Sequence, residues 1–186
     1  MRPSHCMRSA TSVIALTLAG AGAAAAEDRY IIGVMSAQSG YLAPYDGPAY
    51  AGFQFCIDEI NAAGGLNGSL PVELIVEDTR SDIAVGVQVV QEMLDQGAKF
   101  IVSSADADPT IAAAQITLPD GVPTMTFAGT APVLTQVGEH VFGSYPADNQ
   151  QGTVLATYAR EQGFERVWLV KSPTELAGMP WPGSRT

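Results

Sequence analysis

Apolar runs of strand length alternate with stretches of helical period along most of this chain. That alternation restricts the fold more than any other feature. "YIIGVMS" (30–36) and "VELIVED" (72–78) have the length and composition of strands. Between them, Phe53, Ile57 and Ile60 recur at i, i+4 and i+7, which predicts a helix over 47–63. Pro48 suits its first turn, and Gly64-Gly65 ends it. Ile83, Val87, Val90 and Leu94 then predict a second helix, with Ser81 or Asp82 as cap and Gly97 as stop. "KFIVSS" (99–104) is a third strand, 109–118 an Ala-rich helix, and "VPTMTFA" (122–128) a fourth strand. A short strand "HVFGS" (140–144), a helix over 149–162 and a strand "RVWLV" (166–170) complete the series. Strands spaced by amphipathic helices form βαβ units, so the expected fold class is α/β, a parallel sheet with helices on both faces.

The first 26 residues stand outside this pattern. Arg2 and Arg8 precede the apolar run "SVIALTLAGAGAAAA", which ends on Ala24-Ala25-Ala26 before Glu27-Asp28. A basic start, a short apolar centre and an Ala-x-Ala exit are the marks of a secretory signal over 1–26. The run is shorter than the roughly 20 residues that a membrane span needs. No cysteine at the cleavage site offers a lipid attachment point. The mature chain is therefore expected to be soluble in the periplasm. Loss of Arg2 and Arg8 from the nine basic residues leaves seven against nineteen acidic ones. An acidic surface repels phosphate backbones, so nucleic acid is not an expected partner. Cys6 departs with the signal, so Cys56 has no intrachain partner; its place in "FQFCIDEI" predicts a small buried core residue.

In doubly wound sheets, ligands sit beyond the carboxyl ends of the strands. Here those ends are "SAQSGYLAPY" (36–45), "EDTRSD" (77–82), "SSADADPT" (103–110) and "FAGTAP" (127–132). They carry hydroxyls, glycines and tyrosines, no histidine, and Arg80 as their one basic residue. Neither a G-x-S-x-G elbow nor a Cys/His/Asp cluster with metal spacing is present, and His140 is the one histidine of the mature chain. "GAGAAA" (20–25) mimics a dinucleotide motif but lies in the signal. "GGLNG" (64–68) follows a helix, the wrong order for a phosphate loop. "DADP" (106–109) lacks the ligand count of a calcium loop, and Asp106 or Asp108 is better placed as a helix cap. Glu77-Asp78, Thr126 and Lys171 superficially suggest a phospho-acceptor domain, but the intervening strand end lacks a suitable acceptor. What remains is a rim suited to holding a small polar molecule, with no cofactor or metal implied.

Three stretches of that rim resemble a known family. "IIGVMSAQSGYLAPYDGPAYAGFQFCIDEINAAGGLNG", "VELIVEDTRSD" and "FAGTAPVLT" are similar to the leucine/isoleucine/valine-binding type of periplasmic solute-binding proteins. The resemblance runs from about Tyr30 to Lys171. It implies the first lobe of a type I periplasmic binding fold, no enzyme activity, a small-molecule solute as ligand, and the membrane permease of an ABC importer as partner. It implies that Tyr45 walls the ligand. It implies too that Ala128 and Thr130, with Gly129 between them, offer a carbonyl and a hydroxyl to an amino acid's charged ends. Ala107 stands where the family has a serine, with Ser103 and Ser104 as the neighbouring hydroxyls. A disulfide of some members maps to Ser81 and Asp106 and is absent here.

The resemblance also divides the chain. Residues 27–147 form the N-terminal ligand-binding lobe, and 148–171 begin a second lobe that the family continues at length. Residues 172–186, "SPTELAGMPWPGSRT", carry no helix or strand period and no family pattern. The expectation is therefore a truncated, weakly competent solute-binding protein for a branched-chain amino acid or a similar small amide or carboxylate. The alternatives are an exported small α/β hydrolase and the ligand-binding ectodomain of a sensor.

Overall fold

The computed structural model describes residues 29–168, so the signal segment and the 172–186 tail lie outside the described residues. A five-stranded, wholly parallel sheet forms the centre: β1 (Tyr30–Ser36), β2 (Val72–Asp78), β3 (Phe100–Ser103), β4 (Thr124–Thr126) and β5 (Val141–Gly143). Their order is β2-β1-β3-β4-β5. β1 pairs with β2 along its whole length, from Tyr30 opposite Val72 to Ser36 opposite Asp78. The predicted fold class is the one observed.

The chain first steps from β1 to one side, then crosses back over β1 to β3 and continues outward. Right-handed crossovers then require the helices to change face at that reversal. The helix α1 (Ala43–Ala62) covers one face, where Ile57 meets Ile32, Val34 and Val102, with Phe53 edge-on to Phe127. The helices α2 (Ile83–Asp95) and α3 (Ala107–Thr117) cover the other, where Val90 and Met93 pack on Met35, Ile101 and Ala113. Gly33 is required by this packing. A Cβ there would stand 2.7 Å from both Met93 Sδ and Ile101 Cδ1. A turn of 3-10 helix (Leu118–Asp120), the short α4 (Leu134–Val137) and α5 (Asp148–Glu161) complete the elements.

Several local expectations change. α1 starts a turn earlier than predicted, because Pro44 takes the first-turn position where a missing N–H costs nothing. Pro48 lies inside the helix and forfeits only one bond, onto the Pro44 carbonyl. Cys56 is exposed, not buried: it neighbours Ile57 in sequence but points away from the Phe53–Ile57–Ile60 stripe that meets the sheet. The buried face of α2 is Gly86, Val89, Val90 and Met93, whereas Ile83 and Val87 are exposed. That helix is apolar nearly all round, so its period admits more than one face. α3 begins at Ala107, with Asp106 as its cap. Residues 166–168 carry no strand; the rest of the predicted "RVWLV" strand lies outside the described residues.

Candidate functional site

The reversal between β1 and β3 sends α1 and α3 to opposite faces and leaves a gap at the carboxyl end of the sheet. A hollow of roughly 360 Å³ occupies it, lined by Leu42, Tyr45, Ala49, Ala105, Asp106, Ala128 and Tyr145. These residues come from four regions: the start of α1, the β3–α3 loop, the loop after β4 and the loop after β5. Tyr45 and Tyr145 remain 64% and 60% exposed, so the hollow is a half-open bowl with an aromatic rim.

Its walls are tied together by polar side chains. Asp46 is wholly buried, and its carboxylate accepts from Ala37 N–H at 2.7 Å, Ala105 N–H at 2.8 Å and Ser104 Oγ at 3.1 Å. One side chain on α1 thus fixes both loops that flank the hollow. On the other side of β1, Asp78 accepts from the amides of Gln38, Ser39 and Arg80 and from Ser39 Oγ. Its burial pushes the carboxyl up, but the hydrogen bonds from Arg80, Ser39 and Gln38 outweigh that and hold it below its ordinary value. Ser81 Oγ donates to Ser39 O and accepts from Leu42 N–H. This tie holds Arg80 and Ser81 at φ of 55° and 57°, a left-handed pair. Past β4, Thr126 Oγ1 donates to Ser104 O and accepts from Gly129 N–H. Ser144 Oγ donates to Phe127 O, and Asp148 N–H to Thr130 O. The loops are thus set before any ligand arrives, which lowers the ordering cost of binding.

Of the residues singled out in the sequence, Tyr45 and Ala128 line the hollow. Ser103 and Ser104 are fully buried, the first accepting from Thr110 Oγ1 and the second bonded to Asp46. Ala107 is 1% exposed and packs with Ala131 and Leu134. Gly129 is buried, and Thr130 lies partly exposed beside it. Leu42, Ala49, Ala105, Asp106 and Tyr145 complete the lining without having been identified in the sequence as lining residues. An acidic residue in the first turn of α1 was the available signal for Asp46. Nothing in a linear reading brings Tyr145 beside Tyr45. Among the described residues no group of His, Cys, Asp and Glu could hold a metal ion.

Sheet order, alternating helix faces and a hollow at the reversal define a doubly wound lobe of the type I periplasmic binding fold. The chain belongs to the periplasmic binding protein family, matching it over residues 30–178. That match enters the segment from 172 onward, which the sequence reading had set apart from the family. The Leucine-, isoleucine-, valine-, threonine-, and alanine-binding protein of Pseudomonas aeruginosa is 31% identical over 150 residues, covering 80% of this chain and 40% of that protein. The Leu/Ile/Val-binding protein of Escherichia coli is 29% identical over 148 residues, covering 79% and 40%. The branched-chain amino acid transporter substrate binding protein of Streptococcus pneumoniae, solved with isoleucine, superposes with a TM-score of 0.66 at 30% identity. That superposition covers 72% of this chain and 38% of the other. The chain thus spans about 40% of the length of the curated relatives it matches.

Proposed function

We propose that this chain carries the N-terminal receptor lobe of a solute-binding component of an ABC importer. It acts in the periplasm, where the 1–26 segment directs it, and presents a branched-chain amino acid or a similar small amide or carboxylate to a membrane permease. The observation that carries this reading is the loop-tied hollow at the sheet reversal. An exposed aromatic rim, backbone groups and one carboxylate surround a space of amino-acid size. The names of the relatives, which describe amino-acid binding, support the solute class.

The open bowl encloses only part of a solute. Closure by a second lobe excludes water and strengthens polar contacts, and among the described residues this hollow is open on one side. Binding by the chain alone is therefore weak, on the order of millimolar. Titration of the purified, isotope-labelled protein with leucine, isoleucine and valine, followed through the Ala105 and Ala128 amides, tests both points. Saturable shifts at those amides are the expected result. A full set of flat titrations sinks the reading, and micromolar affinity sinks the claim of weak competence. Hydrolytic chemistry draws less support: His140 is exposed beside β5, and the Ser104 hydroxyl donates to Asp46.

A further inference from the structure

Among the described residues, Ser36 Oγ is the one buried side-chain polar atom without a hydrogen-bond partner. Ser36 ends β1 and is wholly enclosed, at 0% exposure. A hydroxyl left unpaired in a closed interior is costly unless something completes it.

The strand fixes where that hydroxyl lies. Side chains alternate along β1, so Ser36 shares the face of Ile32 and Val34, which pack with Ile57 of α1. Met35 takes the opposite face, against Val90 and Met93. Val34 pairs with Val102 of β3, and the same register carried two residues on sets Ser104 beside Ser36. Asp46, fully buried on α1, spans both. Its Oδ1 serves the β3 side, accepting from Ser104 Oγ and Ala105 N–H. Its Oδ2 serves the β1 side, where Ala37 N–H is its single donor among the described residues. A carboxylate oxygen has room for about two donors, so Oδ2 is one short. Ala37 follows Ser36 directly, which keeps the serine hydroxyl and Oδ2 close to the same amide. The two are not bonded to each other.

A hydroxyl without a partner and an acceptor with one donor thus adjoin on the α1 face. Ser36, Asp46 and Ser104 are all at 0% exposure, so no solute reaches them while the loops are shut. A cation fits poorly, because the Ala37 and Ala105 amides already aim their hydrogens at this carboxylate. Water both donates and accepts, and it meets both needs at once.

We propose that Ser36 and Asp46 form a binding site for one internal water, which donates to Asp46 Oδ2 and accepts from Ser36 Oγ. Asp46 then grips the end of β1 through the Ser36 side chain as well as the Ala37 amide. The water leaves only when the Ala37 or Ala105 segment opens, so its residence time reports on the opening of the wall beside the hollow. The inference is independent of which solute the hollow takes.

Oxygen-17 relaxation dispersion, which counts long-lived internal waters, tests this on wild type and Ser36→Ala. The variant should lose the amplitude of one water, and its folding equilibrium constant should fall about fivefold. The water count decides. An unchanged count overturns the inference in either of two ways. With an equal or larger folding constant, the hydroxyl is simply unpaired; with a smaller one, it bonds directly to a protein group. If the variant fails to fold, the wild type supplies the second measurement through water cross-relaxation at the Ala37 amide. A cross-peak there together with a dispersion amplitude supports the site, and the absence of either overturns it.

Discussion

α2 and α5 are near twins in length, thirteen and fourteen residues, yet α2 buries four of its residues and α5 buries none. α2 lies against the sheet and α3, with Val90 and Met93 at 0% exposure. On α5, Val154, Leu155 and Tyr158 keep 68%, 67% and 56% of their surface in water. An apolar cleft of about 850 Å³ runs from α5 to Val167 and Trp168. The ends differ too. Asp82 caps α2 by accepting from Ala84 and Val85, whereas Ala147 leaves α5 without a side-chain cap. The difference teaches that helix period is a local property and burial is not. Both sequences form a helix, but only one has a sheet beneath it among the described residues.

The comparison can be broken most forcefully in the core. Met93→Ala should cost about 3 kcal/mol through lost burial and a cavity under α2, read as a lower midpoint in chemical denaturation. A loss as small as that of a surface change would mean that α2 is packed no better than α5. Next is the tie on α1: Asp46→Ala should cost about 2 kcal/mol, since two buried amides and a hydroxyl lose their acceptor. Amide exchange should then speed up at Ala37 and Ala105 together; acceleration at only one would show that the two loops are held separately.

The cap sharpens the contrast. Asp82→Ala should cost about 1 kcal/mol, and Ala147→Ser should add a few tenths to α5. Equal small effects at both ends would remove capping as a cause of the difference. Asp78 supplies a pH test near the start of α2. Its folded pKa lies below the ordinary 3.8, so its contribution is present above that value and is lost as pH falls through the depressed one. Asp78→Asn should flatten that part of the acid limb of the unfolding profile; an unchanged limb would assign acid sensitivity elsewhere. The smallest effect is expected on α5, where Leu155→Ala should change stability by less than about 0.5 kcal/mol. A loss near that of Met93→Ala would show that α5 is covered after all.

Much of the scaffold was legible because strand signals are short-range. β1 and β2 have the boundaries their apolar runs predict, and the sheet is parallel as the βαβ spacing requires. The shorter strands β3, β4 and β5 shrink to the residues that find partners. The face of α2 was not legible, because Val85, Val87, Val89 and Val90 offer several apolar stripes and only Met35, Ile101 and Ala113 choose among them. Cys56 failed for the complementary reason: an apolar neighbourhood in sequence says nothing about which side of a helix meets the sheet. At the site, Tyr45 and Ala128 were named from a family likeness, and the hollow includes both. Asp106 or Asp108 was read as a cap, and Asp106 is the one that caps, its Oδ1 accepting from Ala107 N–H.

Alternation of strand and helix, the turn residues, the acidic balance and the family pattern are written in the order of the amino acids, because each depends on neighbours a few positions apart. Which helix is buried, how the Ser104 hydroxyl is taken up by Asp46 and the Thr126 hydroxyl by the Ser104 carbonyl, and which seven residues surround the hollow were decided only when the chain reversed direction at β1. That reversal brings residues from Leu42 to Tyr145 to one end of the sheet, and contacts over such separations have no signature in any local window.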